Sequence, residues 1–441
     1  MDSESLFRQS LSAPALYAQA RECFSKVTDH RERKTTYPMA DMLMSGLAIF
    51  SLKFPSLLQF DKASRYDEQL KENLKTLFQL ESLPSDTRMR EVVDDVESKQ
   101  LRAPFKRLLA QVQRGKDLEA YQYYRGAILL SLDGTGYFSS NDVHCDNCCV
   151  KQHRDGKVSY YHQMLAGCLV HPDHKHVLPI APEPIIKQDG AQKNDCERNA
   201  SQRLLADFRR EHPHLEIIVI EDGLAANTPH VKVLRSLNFN FILSVKPGDH
   251  AHLFESIDNT AEYGLSRWHE TVEKGVKRRY QFINGVPLTG GEDPVHINFL
   301  RYWETLKDGT TREFSWITDY ELSMGNVAKI MKGGRARWKI ENETFNTLKN
   351  QGYQFEHNFG HGNKNLSVNF AMLMMLAFLI DQIQALCCKA FQRAVAKRVN
   401  KKSFWERMRS IIFDLPLKGW GHLWDAIAFG FRVTGFSLNT C

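Results

Sequence analysis

The sequence predicts an α/β protein, with a mixed sheet in the middle of the chain and helical segments on either side. Three observations predict it. Over residues 126–247, short apolar runs bounded by turn residues alternate with amphipathic stretches. Over 248–320 the chain becomes rich in aromatic and β-branched residues, with turn signals between them. Before 126 and after 320 the apolar residues return at three-and-four spacing.

The elements follow in order. "ALYAQARECFSKV", "DMLMSGLAIFSL" and "FKRLLAQVQRG" read as helices, and "LPSDTRMREVVDDV" as a helix start with Ser85 or Asp86 as cap and Val92, Val93 and Val96 on one side. No linker rich in Pro, Gly or Ser follows, so a boundary near 125 rests on the change of period. "AILLSLDGTGYF" reads as a strand ending at Asp133 and a glycine-rich turn. "YYHQMLAGCLVHP" and "VLPIAPEPII" read as two more strands, "DCERNASQRLLADFRREHP" as a helix, and "LEIIVIEDG" as a buried strand ending at Asp222. "TPHVKVLRSLN" and "FNFILSVKP" then read as a short helix and a fifth strand. "SRWHETVEKGVKRRYQFI", "VHINFLRYWETL" and "REFSWITDY" are β-rich, with turns such as "TGGEDP" and "KDGTT". Helical pattern resumes with "SMGNVAKIMKGGRARWKIENETFNTLKN" and "LSVNFAMLMMLAFLIDQIQALCCKAFQRAVAKRVNKKS". The expected division is a helical N-terminal region (1–125), a core in two parts (126–247 and 321–390), a β-rich insertion (248–320), and a basic helical C-terminal region (391–441).

Composition narrows the function classes without choosing among them. The chain has 441 residues, 42% hydrophobic and 25% charged, so it can bury a sizeable core. A net charge of +6 permits a polyanionic partner without demanding one. Nine scattered cysteines make no disulfide scaffold and point to a reducing compartment. The start, "MDSESLFRQS", is acidic and polar, unlike a secretion signal. The apolar run "AMLMMLAFLI" is shorter than the roughly 20 residues a bilayer requires, so it reads as a core helix.

Two acids stand out by position, Asp133 and Asp222, each at the end of a strand where open α/β sheets gather ligands. A third, Glu341, sits on a later helix in "RWKIENETFNTLK". Taken singly, each has an ordinary reading as a turn residue or a solvated helix position. Together they make an oxygen-rich set suited to Mg²⁺ or Mn²⁺. In "LDGTGYFSS", "IEDGLAAN" and "RWKIENETFNTLK", with 89 residues from Asp133 to Asp222 and 119 from Asp222 to Glu341, the chain resembles bacterial insertion-sequence transposases of the DDE class. Within that class it is similar to the insertion-sequence four group, and the resemblance spans most of 80–385.

The resemblance implies an RNase H-like core carrying a β-rich insertion, with Asp133, Asp222 and Glu341 as catalytic residues and ligands of two metal ions. It implies binding to the terminal inverted repeats of an element, strand cleavage, and joining of 3′-hydroxyl ends to target double-stranded DNA. It also implies a homodimer in the DNA complex, no membrane partner, and a bacterial cytoplasmic, nucleoid-associated location. The group's glutamate helix carries Tyr, Arg, Glu and Lys at set spacing. Here Arg337 and Glu341 match, Gly334 stands at the Tyr position, and Lys349 comes one residue late. At roughly 100° per residue, Arg337 lies about 40° from Glu341 and Lys349 about 80°. Arg337 is thus suited to bidentate phosphate contact, and Lys349 can reach a phosphate on its flexible stem. Trp338 and Ile340 read as core anchors. "EFSWIT" resembles the stretch whose aromatic residue stacks on a flipped base in some relatives, which nominates Phe314 and Trp316 for DNA contact. The plainer reading of these aromatics is a sheet core.

Two further features stand apart. "HCDNCCVKQH" places Cys145, Cys148 and His153 near the spacing of a zinc knuckle, with His144, Cys149 and His162 as further donors. The alternative is reduced cysteines in a loop between the first two strands. The histidines of "HPDHKH" read as surface residues of a loop. "AVAKRVNKKSFWERMR" carries six Lys/Arg residues and one Glu, a basic stripe for phosphates or simply a solvated face. Two rivals to a working transposase follow: a catalytically inactive, transposase-derived DNA-binding protein, and a zinc-dependent nucleic-acid binder.

Overall fold

The computed structural model describes residues 9–32, 35–187, 194–290 and 293–431, so most of "MDSESLFRQS" and part of the "TGGEDP" turn lie outside the described residues. The chain forms two compact units, one of residues 1–115, 140–147 and 346–441, the other of 116–139 and 148–345. The expected N-terminal region, the end of the expected core and the C-terminal region therefore share one unit.

The first unit is helical. Its axis is the helix Leu366–Cys387, buried on nearly every side, as a helix that is apolar all round must be. It is 22 residues long, apolar and long enough to cross a membrane, yet 83% of its apolar window is buried inside the protein. The ten-residue apolar run is thus only the middle of a longer helix. Met39–Ser51 packs along it, and Gly46 lets the two approach: a Cβ there would meet Leu373 at 2.8 Å. Asp94 caps its start, taking the backbone N–H groups of Asn363, Lys364, Asn365 and Leu366. Asp94 ends the helix Asp86–Asp94, whose own cap is Ser85, accepting from the Arg88 N–H. Val92, Val93 and Val96 are buried, as the spacing predicts. The basic stretch is no single helix. Lys389–Ala396 and Lys401–Asp414 are separated at Asn400, which begins the second with a capping box. Two of its cations serve the fold, with Arg409 donating to the Lys53 carbonyl and Arg398 to that of Ile427.

The second unit is built on one mixed sheet. Its strands are β1 (Gln122–Tyr124), β2 (Ala127–Ser140), β3 (Cys149–Gln152), β4 (Val158–Val170), β5 (Leu178–Pro179), β6 (Glu183–Ile185), β7 (Ile217–Glu221), β8 (Asn240–Ser244), β9 (Arg267–Glu273), β10 (Val276–Pro287), β11 (His296–Thr305) and β12 (Thr311–Thr318). The order is β3-β4-β2-β7-β8-β12-β11-β10-β9, with β1 beside β2 and β5 and β6 beside β4. β2, β7 and β8 are parallel, and every strand from β8 to β9 across the insertion is antiparallel to its neighbour. The β-rich insertion therefore prolongs the central sheet.

Three sequence expectations change here. β2 does not stop at Asp133 but runs seven residues further, because Thr135 and Tyr137 are buried on the sheet despite the intervening glycines. The insertion contains a helix, Ala251–Glu262, with Leu253, Phe254 and Ile257 buried at helical spacing. Cys149 lies in β3, paired antiparallel with β4, where a loop was expected.

Candidate active site

The register of β2 and β7 brings the aspartates together. Ser131 pairs with Ile220, so two residues further on Asp133 comes level with Asp222, on strands about 4.8 Å apart. Asp133 stays within the strand, and Asp222 opens the turn after β7, its Oδ1 accepting the Leu224 N–H at 3.0 Å.

The glutamate segment is tied to the same sheet from two sides. Ser131, buried and two residues before Asp133 on the same face, donates its hydroxyl to the Arg337 carbonyl at 3.0 Å. Thr344, also buried, lies with its hydroxyl 3.2 Å from the Cys168 thiol of β4. Between these ties the chain is no continuous α-helix. Val327–Arg335 is α-helical, a turn follows at 336–337, and Ile340–Phe345 is a π-helix. The 100° steps used to phase Arg337 and Lys349 against Glu341 do not hold through it. π-helical turns are uncommon and concentrate at functional sites.

Arg337 reaches the acids all the same, its Nη1 donating to Asp133 Oδ2 at 3.2 Å. Burial pushes the Asp133 carboxyl above its usual range. The Arg337 guanidinium opposes that, while the charges of Asp222 and Glu341 add to it. Asp133, Asp222, Glu341 and Arg337 thus form one electrostatic group, with Glu341 exposed and the other three half-buried. Beneath it, Glu221 is spent on structure. Its two oxygens meet Ser201 Oγ at 2.9 Å and His230 Nε2 at 2.6 Å.

The remaining candidates fall in different places. Trp316 is 2% exposed and its indole lies against Gly334, where a Cβ would stand 2.4 Å from Nε1. That contact accounts for glycine at 334, because any side chain there would displace the Trp316 ring. Gly334→Ala is expected to lower stability by about 1–3 kcal/mol, the usual cost of overpacking, read as a drop in thermal midpoint. Phe314 is half-buried and stacks on Trp316 at 6.0 Å. Trp338, expected in the core, is 45% exposed, whereas Ile340 is fully buried as predicted. Phe314, Trp316, Trp338, Lys246, Arg335 and Arg337 line a cavity of about 550 Å³. Lys349 belongs to the helical unit, in Asn346–Asn350, and pairs with Glu356 at 2.8 Å.

The expected zinc donors find different partners. His153 Nε2 is hydrogen-bonded to Ser159 Oγ at 2.8 Å, and Cys149 Sγ reaches the Ile185 carbonyl. Within this unit Cys148 Sγ lies 3.5 Å from His162 Nε2, so these are the two candidate donors that the structure brings together there.

The chain is thus an α/β protein with an acidic, arginine-paired cleft at one level of its parallel strands. It matches no family model and no curated protein.

Proposed function

We propose that the protein is a DDE-type transposase that cleaves the ends of its element and joins their 3′-hydroxyls to target DNA. The carrying observation is that Arg337 pairs with Asp133 while Asp222 and Glu341 stand within electrostatic reach, with residues drawn from β2, the turn after β7 and the π-helix. A mixed sheet with parallel β2, β7 and β8 is compatible with an RNase H-like core. The donor chemistry fits Mg²⁺ or Mn²⁺, since Asp133, Asp222 and Glu341 offer only hard carboxylate oxygens. Bound divalent ions would supply an activated water or 3′-hydroxyl and charge compensation at the leaving oxygen. The chain's own part is to hold the carboxylates at one level and to present Arg337. Its guanidinium can exchange Asp133 for a phosphate without losing its charge. Trp338 and the half-buried Phe314, beside Lys246, Arg335 and Arg337, offer aromatic faces and cations to a base and its phosphate. Dimerisation on DNA and a bacterial cytoplasmic location belong to this reading.

The test is cleavage of DNA bearing the element's own ends, with Mg²⁺, by wild type and Glu341→Gln. Cleavage lost in the variant with binding retained supports the reading. Equal cleavage in EDTA would sink it. Binding without Mg²⁺-dependent nicking by the wild type would favour an inactive DNA-binding relative.

A second metal reading rests on Cys148 and His162, since thiolate and imidazole donors suit Zn²⁺ over Mg²⁺. On this reading purified protein is expected to carry about one zinc per chain by metal analysis. His162→Ala should reduce that content, whereas His153→Ala, at a residue held by Ser159, should leave it unchanged.

A further inference from the structure

We propose that two copies of the chain pair through β9, antiparallel and edge to edge, about a two-fold axis at Glu270. The inference requires neither metal nor DNA and goes beyond the reading above.

β9 lies at one end of the sheet and, among the described residues, pairs only with β10. Their register runs unbroken from Glu273 opposite Val276 to Arg267 opposite Phe282. Lys274 and Gly275 join the two strands, both at positive φ, as a two-residue hairpin turn requires. Such a turn makes Glu273 and Val276 a hydrogen-bonded pair, so the ladder to β10 takes the backbone of Glu273, Thr271, His269 and Arg267. The N–H and C=O groups of Trp268, Glu270 and Val272 then face the open edge. An open edge is a template for another strand, and charged residues along it ordinarily guard against pairing.

Here the charges fit a second copy. The strand reads "RWHETVE". Antiparallel to itself about Glu270, it sets Arg267 opposite Glu273 and Trp268 opposite Val272, each twice. This register uses the whole strand. It also makes hydrogen-bonded pairs of the three residues whose backbone groups face outward. Arg267 is exposed and has no acidic partner among the described residues. Glu273 gives Oε2 to Arg278, which leaves Oε1 for Arg267 of the second copy. Trp268 and Val272 share one face of the strand and are 41% and 72% exposed. Trp268 is already ordered for contact, stacked on Trp303 at 5.9 Å with the Arg279 guanidinium 4.1 Å from its ring. The two Glu270 side chains that would meet at the axis are each compensated beforehand, by Arg279 at 3.1 Å and Lys277 at 3.3 Å. Leu265, also exposed, comes level with the second copy's Gly275 and adds apolar surface at both ends of the pairing.

The test is sedimentation velocity of the full chain without DNA, at micromolar concentration. The proteins are wild type, Val272→Lys, Arg267→Glu, and the double variant Arg267→Glu with Glu273→Arg. The wild type should sediment as a dimer. Each single variant should weaken the dimer at least about 10-fold, because each disturbs two symmetric cross-strand pairs. The double variant reverses both charges and should restore most of the association. The substituted side chains are exposed, so the far-ultraviolet circular dichroism of the single variants should match wild type. A monomeric wild type would overturn the proposal. A dimer that both single variants leave intact would place the interface elsewhere and overturn it too. A loss in Arg267→Glu that the charge swap fails to relieve would overturn the register about Glu270.

Discussion

Asparagine at position 133 should lower Mg²⁺-dependent strand cleavage by at least about 100-fold, the upper end of what losing an outer-shell partner costs a metal site. The same variant should melt at or above the wild-type temperature. Both expectations come from one environment. The Asp133 carboxyl is half-buried beside Asp222 and Glu341, and its pKa is raised in spite of Arg337. For an acid raised on folding, the native state holds the proton more tightly than the unfolded chain. Its contribution to stability is therefore favourable at low pH and is lost as pH rises through the folded pKa. At neutral pH the charge is a burden on the folded chain, and the neutral amide of similar shape removes it. Single-turnover cleavage and a thermal scan of the same preparation check the two halves together. Retained cleavage would exclude Asp133 from the chemistry. A midpoint lower by more than a few degrees would make the Asp133–Arg337 pair a structural contact.

The aspartates were legible because strand ends are marked by local pattern. "IIVIE" is fully buried and Asp222 follows it directly. Asp133 was found for a partly wrong reason, since Gly134 and Gly136 suggested a turn. In the structure the strand continues through them, and the glycine at 134 makes room for the Glu197 carboxylate. Segments fixed by long-range contacts were not legible. No local signal marks the π-helix at Ile340–Phe345, which lies between the ties Ser131–Arg337 and Thr344–Cys168. Trp338 looked like a core residue by type, yet the α-helix stops at Arg335 and the turn after it leaves the indole exposed. The helix Ala251–Glu262 did carry the helical spacing of Leu253, Phe254 and Ile257, but within a stretch whose composition favoured strands.

Lys53→Met should be the most damaging single change in the helical unit, lowering its stability by about 3–5 kcal/mol. Lys53 is 2% exposed, and its ammonium donates to Asp381 Oδ2 at 2.7 Å and to the Ser51 carbonyl at 3.1 Å. It also lies 4.0 Å from the Tyr353 ring centre and 4.2 Å from that of Trp405. Burial lowers the Lys53 pKa and raises that of Asp381, and each charge opposes the shift of the other. Methionine fills much of the volume but leaves Asp381 buried without the ammonium, the Tyr353 hydroxyl still donating to it. The cost is therefore that of an uncompensated buried carboxylate, and the aromatic packing alone cannot recover it. The double variant Lys53→Met with Asp381→Leu removes both charges and should regain most of the loss, as replacing a whole buried pair often does. Urea unfolding of the three proteins, followed by far-ultraviolet circular dichroism, separates the contributions. A single variant within about 1 kcal/mol of wild type would place this pair with surface ion pairs, whose net worth is that small. A double variant no better than the single one would assign the loss to packing around Tyr353 and Trp405, with the charge of Asp381 irrelevant.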